Sequence, residues 1–152
     1  MATSLHQLNN QTNDPVARSH APSVKPLVLV VEDHDDTVFL LRYLLEIRGY
    51  RVMIAGDGET AVCLAEETCP DLILMDTSLP RLDGLAATRR IRELALLHDV
   101  PIVFLSGHAE ASSRAKALET GGNDYLTKPF EIIQLERVLD RHLGSAGVHK
   151  AK

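Results

Sequence analysis

Five short apolar runs recur along the chain, and most of what lies between them repeats apolar residues every three or four positions. The runs are "LVLVV" (27–31), "RVMIA" (51–55), "DLILM" (71–75), "PIVFL" (101–105) and "DYL" (124–126). Strands that are apolar on both faces need helices above and below, which is the situation of a parallel sheet. The intervening segments supply them. Between Asp35 and Arg48, Val38, Leu41, Leu44, Leu45 and Ile47 fall on one helical face, with Asp35 or Asp36 as the expected cap and Gly49 as the stop. A second helix is expected over Gly58–Thr68, halted by Pro70, and a third over roughly 83–97 with Leu85, Thr88, Ile91 and Leu94 or Ala95 facing inward. The fourth, 110–120, is rich in alanine, has Leu118 as its only large apolar residue and is closed by Gly121 and Gly122. The fifth, 131–143, places Ile132, Leu135, Val138, Leu139 and His142 on one side. The fold class expected is α/β, a doubly wound five-stranded parallel sheet.

Residues 1–26 contain three prolines and no periodicity, and read as a disordered extension. The folded domain is expected over 27–143, with 144–152 a flexible tail too short for a second domain. The net charge of −5 argues against general affinity for nucleic acid or an anionic membrane. Neither a secretory signal nor a membrane-length apolar stretch is visible. Cys63 and Cys69 have no metal-ligand spacing and form no disulfide framework, which suits a reducing compartment. A cytoplasmic location is expected.

In open parallel sheets, ligands bind beyond the carboxyl ends of the strands. Those ends carry Glu32 and Asp33 after the first strand, Asp76 after the third, Ser106 after the fourth and Lys128 after the fifth. Taken singly, Asp33 reads as a turn former and Lys128 as an exposed lysine. Their convergence on one sheet edge outweighs those readings. Three carboxylates so close repel one another and recruit protons or a cation. A hard divalent ion such as Mg²⁺ suits an all-oxygen site. With one Mg²⁺ and one lysine the three carboxylates are neutralised, leaving one of them free to act as a nucleophile toward phosphorus.

The ordered segments "VVED", "ILMDTSLPRLDG", "VFLSGHA" and "GGNDYLTKPF" together resemble the receiver domain of two-component response regulators, and the resemblance covers about residues 27–143. It implies a flavodoxin-like sheet of order 2-1-3-4-5. It implies that Asp76 is the phosphoacceptor and that Lys128 pairs first with its carboxylate and then with the phosphoryl group. Asp33, Asp76 and the Ser78 backbone carbonyl would bind Mg²⁺ directly, with Glu32 acting through water. Ser106 and Tyr125 match a switch pair in which hydroxyl and aromatic ring move together, and Lys128–Pro129 is expected to be cis. Ser78 and His108 occupy the two positions that tune dephosphorylation, although an exposed loop histidine without that duty is the better reading of His108. The other histidines have no ligand partner at helical spacing.

The resemblance implies a signalling protein that catalyses only its own phosphorylation and dephosphorylation. Its expected partners are a sensor histidine kinase or phosphotransfer protein and a downstream target. The expected signalling face combines the fourth helix, fifth strand and fifth helix, a face also suited to dimerisation. A flavin or nucleotide binder of this fold would need a phosphate-receiving loop after the first strand, where this chain has "EDHDD". A haloacid-dehalogenase-type phosphatase would have an acid at position 78, where this chain has serine. The remaining alternative is an interaction module of receiver fold that works without phosphorylation, for which mutually repelling carboxylates have no use.

Overall fold

A computed structural model describes residues 24–144. Within it, strands β1 (Leu27–Val31), β2 (Arg51–Ala55), β3 (Leu72–Asp76), β4 (Ile102–Ser106) and β5 (Asp124–Thr127) alternate with helices α1 (Asp35–Ile47), α2 (Gly58–Thr68), α3 (Gly84–Glu93), α4 (Ala111–Thr120) and α5 (Ile132–Leu143). The sheet is wholly parallel, in the order β2-β1-β3-β4-β5. The expected extension and tail fall almost entirely outside the described residues. Among those described, no helix is long and apolar enough to cross a membrane.

The double apolar character of the strands is explained by two cores. Leu29, Val31, Ile73, Met75, Ile102 and Phe104 face one way, toward Ala61 and Ala65 of α2 and Ala87 and Ile91 of α3. Val28, Val30, Leu72, Leu74, Val103 and Leu105 face the other, toward Leu41 and Leu45 of α1 and Leu135 and Leu139 of α5. Each fully buried leucine or isoleucine contributes about 1.5–3 kcal/mol, so the sheet is the rigid part of the molecule. Its register leaves the carboxyl ends level: Val31 stands beside Met75, Asp76 beside Leu105, and Ser106 beside Thr127.

Several expectations need correction. The N-cap of α1 is His34, without a side-chain cap bond, rather than Asp35 or Asp36, which lie in the first turn. Ile47 and Ile132 point outward, and Ile47 joins Phe39, Leu40 and Tyr43 among the exposed large apolar residues of α1. Alternation by three or four marks a face, but a helix lying on a sheet buries only a narrow stripe of it. The third helix stops at Glu93. Leu94 is extended, and a 3-10 turn over Ala95–Leu97 brings Leu97 back into the core. On α4 the buried residue is Ala117, while Leu118 is 39% exposed, so along its length this helix buries one small side chain.

One arginine ties the far end of α4 to its surroundings. Arg92 of α3 donates from Nε and Nη2 to the Gly121 carbonyl at 2.9 and 2.7 Å, and from Nη1 to the Leu97 and Val100 carbonyls at 3.0 and 2.7 Å. Nη2 also reaches Asn123 Oδ1 at 2.8 Å. The planar guanidinium thus joins the end of α3, the start of β4 and the end of α4.

Candidate functional site

β3 ends on Asp76 itself, not on the residue before it, so the carboxylate is carried by a residue inside the hydrogen-bonded ladder. Asp76 is 3% exposed and Glu32 1%. On the other side of Asp76, α3 approaches very closely: a Cβ on Gly84 would lie 2.1 Å from the Asp76 carbonyl oxygen. Only glycine fits there.

Lys128 Nζ is 2.5 Å from Glu32 Oε1 and 3.4 Å from Asp76 Oδ2. The bond between Lys128 and Pro129 is cis, as expected. Burial pushes the Asp76 carboxyl up, and the hydrogen bond and charge of Glu32 add to this; the Ser78 N–H, at 3.1 Å from Oδ1, and Lys128 offset only part, leaving it at about 6. Burial also pushes Glu32 up, but the hydrogen bond with Asp76 and the closer ammonium of Lys128 outweigh it and hold Glu32 at about 2. The asymmetry follows the lysine, which sits nearer Glu32.

Asp33 and His34 complete the cluster. Glu32 Oε2 accepts the Asp33 N–H at 2.9 Å and the His34 N–H at 3.3 Å, which curls the loop around its own acid. His34 Nδ1 lies 3.2 Å from Asp33 Oδ1, and the hydrogen bond to Glu32 with the charge of both acids raises the imidazole pKa. Ligand atoms of Glu32, Asp33, His34 and Asp76 all lie within 4.8 Å of one another. Counting Lys128, the three acids leave two negative charges, a charge that a divalent cation neutralises. The carboxylate oxygens of this set fit Mg²⁺.

The remaining predicted residues form a second, connected group. The Ser106 hydroxyl accepts from Thr77 Oγ1 at 3.0 Å and from the His108 N–H at 3.1 Å. Tyr125 is 5% exposed, and its hydroxyl donates to the His108 carbonyl at 2.6 Å. The His108 imidazole is exposed, and its Nδ1 lies 3.8 Å from Glu110 Oε2. Thr77, Ser78, Ser106, Lys116 and Tyr125 share the lining of a cavity of about 260 Å³ between the β3–α3 loop and α4. Two participants escaped the sequence reading. Thr77 was one of several hydroxyls with no partner in view, and His34 meets its acids through a tight loop instead of helical spacing.

The chain matches the response regulator receiver domain family over residues 28–140. It is 44% identical over 103 residues to PhoP, the alkaline phosphatase synthesis transcriptional regulatory protein of Bacillus subtilis, aligning with 68% of this chain and 42% of that one. This chain therefore spans less than half the length of that relative. It is 37% identical over 115 residues to an uncharacterized 14.6 kDa protein of Leptolyngbya boryana, covering 76% of this chain and 88% of the other. Among solved structures, the receiver domain of the Pseudomonas aeruginosa sensor histidine kinase PA1611 superposes with a TM-score of 0.74 at 41% identity, over 80% of this chain and 99% of that one. That structure holds a magnesium ion coordinated in its active site cleft. Sheet order, acid cluster and sequence agree: this chain belongs to the response regulator receiver domain family.

Proposed function

We propose that this chain is a phosphorelay receiver in which Asp76 takes a phosphoryl group from a phosphohistidine of a sensor kinase or phosphotransfer protein, over a domain spanning 27–143. The observation that carries this reading is the Asp76 carboxylate, buried at the end of β3 with Lys128 Nζ 3.4 Å away. An oxygen of the ionised carboxylate attacks phosphorus, the phosphorus–nitrogen bond breaks, and the departing imidazole keeps the bonding pair and takes up a proton. Lys128 is the cation that moves from the carboxylate toward the incoming phosphoryl oxygens. Asp33, Asp76 and the Ser78 carbonyl would hold Mg²⁺, with Glu32 acting through water. When bound, the ion supplies positive charge against the phosphoryl oxygens.

The product is an acyl phosphate carrying roughly one and a half to two negative charges. Ser106 then gives up its bond from Thr77 to donate to a phosphoryl oxygen, and Tyr125 packs behind it. Helix α4, whose one buried side chain is Ala117, is the element of low local stability that responds. The face of α4, β5 and α5 becomes the docking surface for a target protein or a second copy. Ser78 and His108 flank the route of the water that hydrolyses the acyl phosphate.

The test is treatment of the purified protein with acetyl phosphate or phosphoramidate, with and without Mg²⁺, followed by intact mass. One phosphoryl group gained only with Mg²⁺, and lost in Asp76→Asn, is the expected result. Labelling retained in that variant places the acceptor elsewhere. No labelling, even with a phosphorylated phosphotransfer protein as donor, leaves a phosphorylation-independent interaction module.

A further inference from the structure

The helix-capping position of α1 is filled by a residue that does no capping. His34 has the extended backbone of an N-cap, yet its side chain makes no bond to the helix. The imidazole turns to the acid cluster instead. Nδ1 lies 3.3 Å from Glu32 Oε2 and 3.2 Å from Asp33 Oδ1, and the ring is otherwise 72% exposed.

These separations match those of ligands around one ion. With metal–ligand bonds of about 2.1 Å, neighbouring ligands of an octahedron stand about 3 Å apart and opposite ones about 4.2 Å. Nδ1 stands at nearly that distance from an oxygen of each of two carboxylates, and the ligand atoms of all four residues, Asp76 included, lie no more than 4.8 Å from one another. Glu32 is held from both sides, by Lys128 at Oε1 and by the loop N–H groups at Oε2. The ring therefore meets a fixed acid at the edge of the cluster.

We infer that His34 supplies an imidazole nitrogen to the divalent-cation site of Glu32, Asp33 and Asp76, so that the site takes nitrogen-tolerant transition ions such as Mn²⁺ and Co²⁺ in preference to Mg²⁺. The inference rests on the acid cluster being a metal site. Oxygen donors alone favour hard ions that keep their water, whereas imidazole favours Co²⁺ strongly and Mn²⁺ modestly over Mg²⁺. Nitrogen at this corner thus changes the order of affinities. A histidine that merely neutralises its acid neighbours changes all of them together.

The experiment is calorimetric titration of the full chain with Mg²⁺, Mn²⁺ and Co²⁺, repeated on His34→Ala and on Asp33→Ala. Electron spin-echo spectroscopy of the Mn²⁺-loaded protein accompanies it. Loss of an inner ligand costs no less than the tenfold or more seen for outer-shell partners, so His34→Ala is expected to weaken Co²⁺ about tenfold or more while Mg²⁺ stays within about twofold. The Mn²⁺ spectrum of the parent should show coupling to an imidazole nitrogen, absent in His34→Ala. Equal shifts for all three ions, or no nitrogen coupling in the parent, would overturn the inference while leaving the Mg²⁺ site standing. If the parent binds no divalent ion, or if Asp33→Ala binds all three as the parent does, the metal site itself fails and the inference with it.

Discussion

The Tyr125 hydroxyl donates to the main-chain carbonyl of His108 at 2.6 Å, joining β5 to the loop that carries Ser106. Tyr125→Phe keeps the buried ring and removes only that bond. The expected loss of stability is about 0.5–1.5 kcal/mol. Amide hydrogen exchange across residues 107–111 should quicken while the sheet is unaffected. Unchanged exchange there would mean that the loop is held by the Ser106 contacts alone.

Asp76 offers a pH-dependent measurement of stability. Its native pKa is raised from 3.8 to about 6, so the native state holds its proton more tightly than the unfolded one. The stability this contributes is full below pH 3.8 and lost as pH rises through 6. Asp76→Asn, which never ionises, is therefore expected to be more stable than the parent at pH 7.5 without metal, by about 1–3 kcal/mol. The advantage should vanish near pH 4 and shrink when Mg²⁺ is added at pH 7.5. Urea titrations at the two pH values check it, and a destabilised variant at pH 7.5 would refute the assigned direction.

Gly84→Ala probes the contact between α3 and the end of β3. The added methyl would stand 2.1 Å from the Asp76 carbonyl oxygen and 3.1 Å from Met75 Cγ, so backbone has to move. Overpacking of this kind costs about 1–3 kcal/mol. Because the displaced residue is the proposed acceptor, phosphoryl uptake from acetyl phosphate should slow as well. Wild-type uptake and stability together would show that the helix shifts freely.

Arg92→Lys keeps the charge and discards the fork. A lysine cannot reach the carbonyls of Gly121, Leu97 and Val100 at once, and part-buried acceptors lose their donors. A loss of about 2–4 kcal/mol is expected in chemical denaturation. Exchange at 119–123 should rise most. A change within experimental error would mean that water replaces the guanidinium.

The sheet was legible because β1, β3 and β4 are apolar almost throughout, so both of its faces had to be covered by helices. The carboxyl-end rule then brought Glu32, Asp33, Asp76, Ser106 and Lys128 to one edge without reference to side-chain detail. Helix faces were harder to read. Ile47 and Ile132 satisfy the spacing yet lie outside, since periodicity marks a direction and not the width of the buried stripe. Arg92 was one arginine among several in "RRIRE", and its five bonds depend on carbonyls that only the fold assembles. His34 was passed over because its partners are its immediate neighbours, in a loop whose curl is set by Glu32.

The attachment of Arg92 has a mechanical meaning. It grips the Gly121 carbonyl, just beyond the last turn of α4, while the opposite end of that helix emerges from the loop bearing Ser106 and His108. Ten residues of helix at about 1.5 Å each make a rod of about 15 Å, clamped at one end and loosely seated along its length. While the clamp holds, such a rod can swing but not slide. On the proposed reading, a sub-ångström pull beside Asp76 would be felt as an angle, greatest at the tip near Ser106 and zero at the pivot, and a partner docking there would meet a tilted surface whose far edge has not moved.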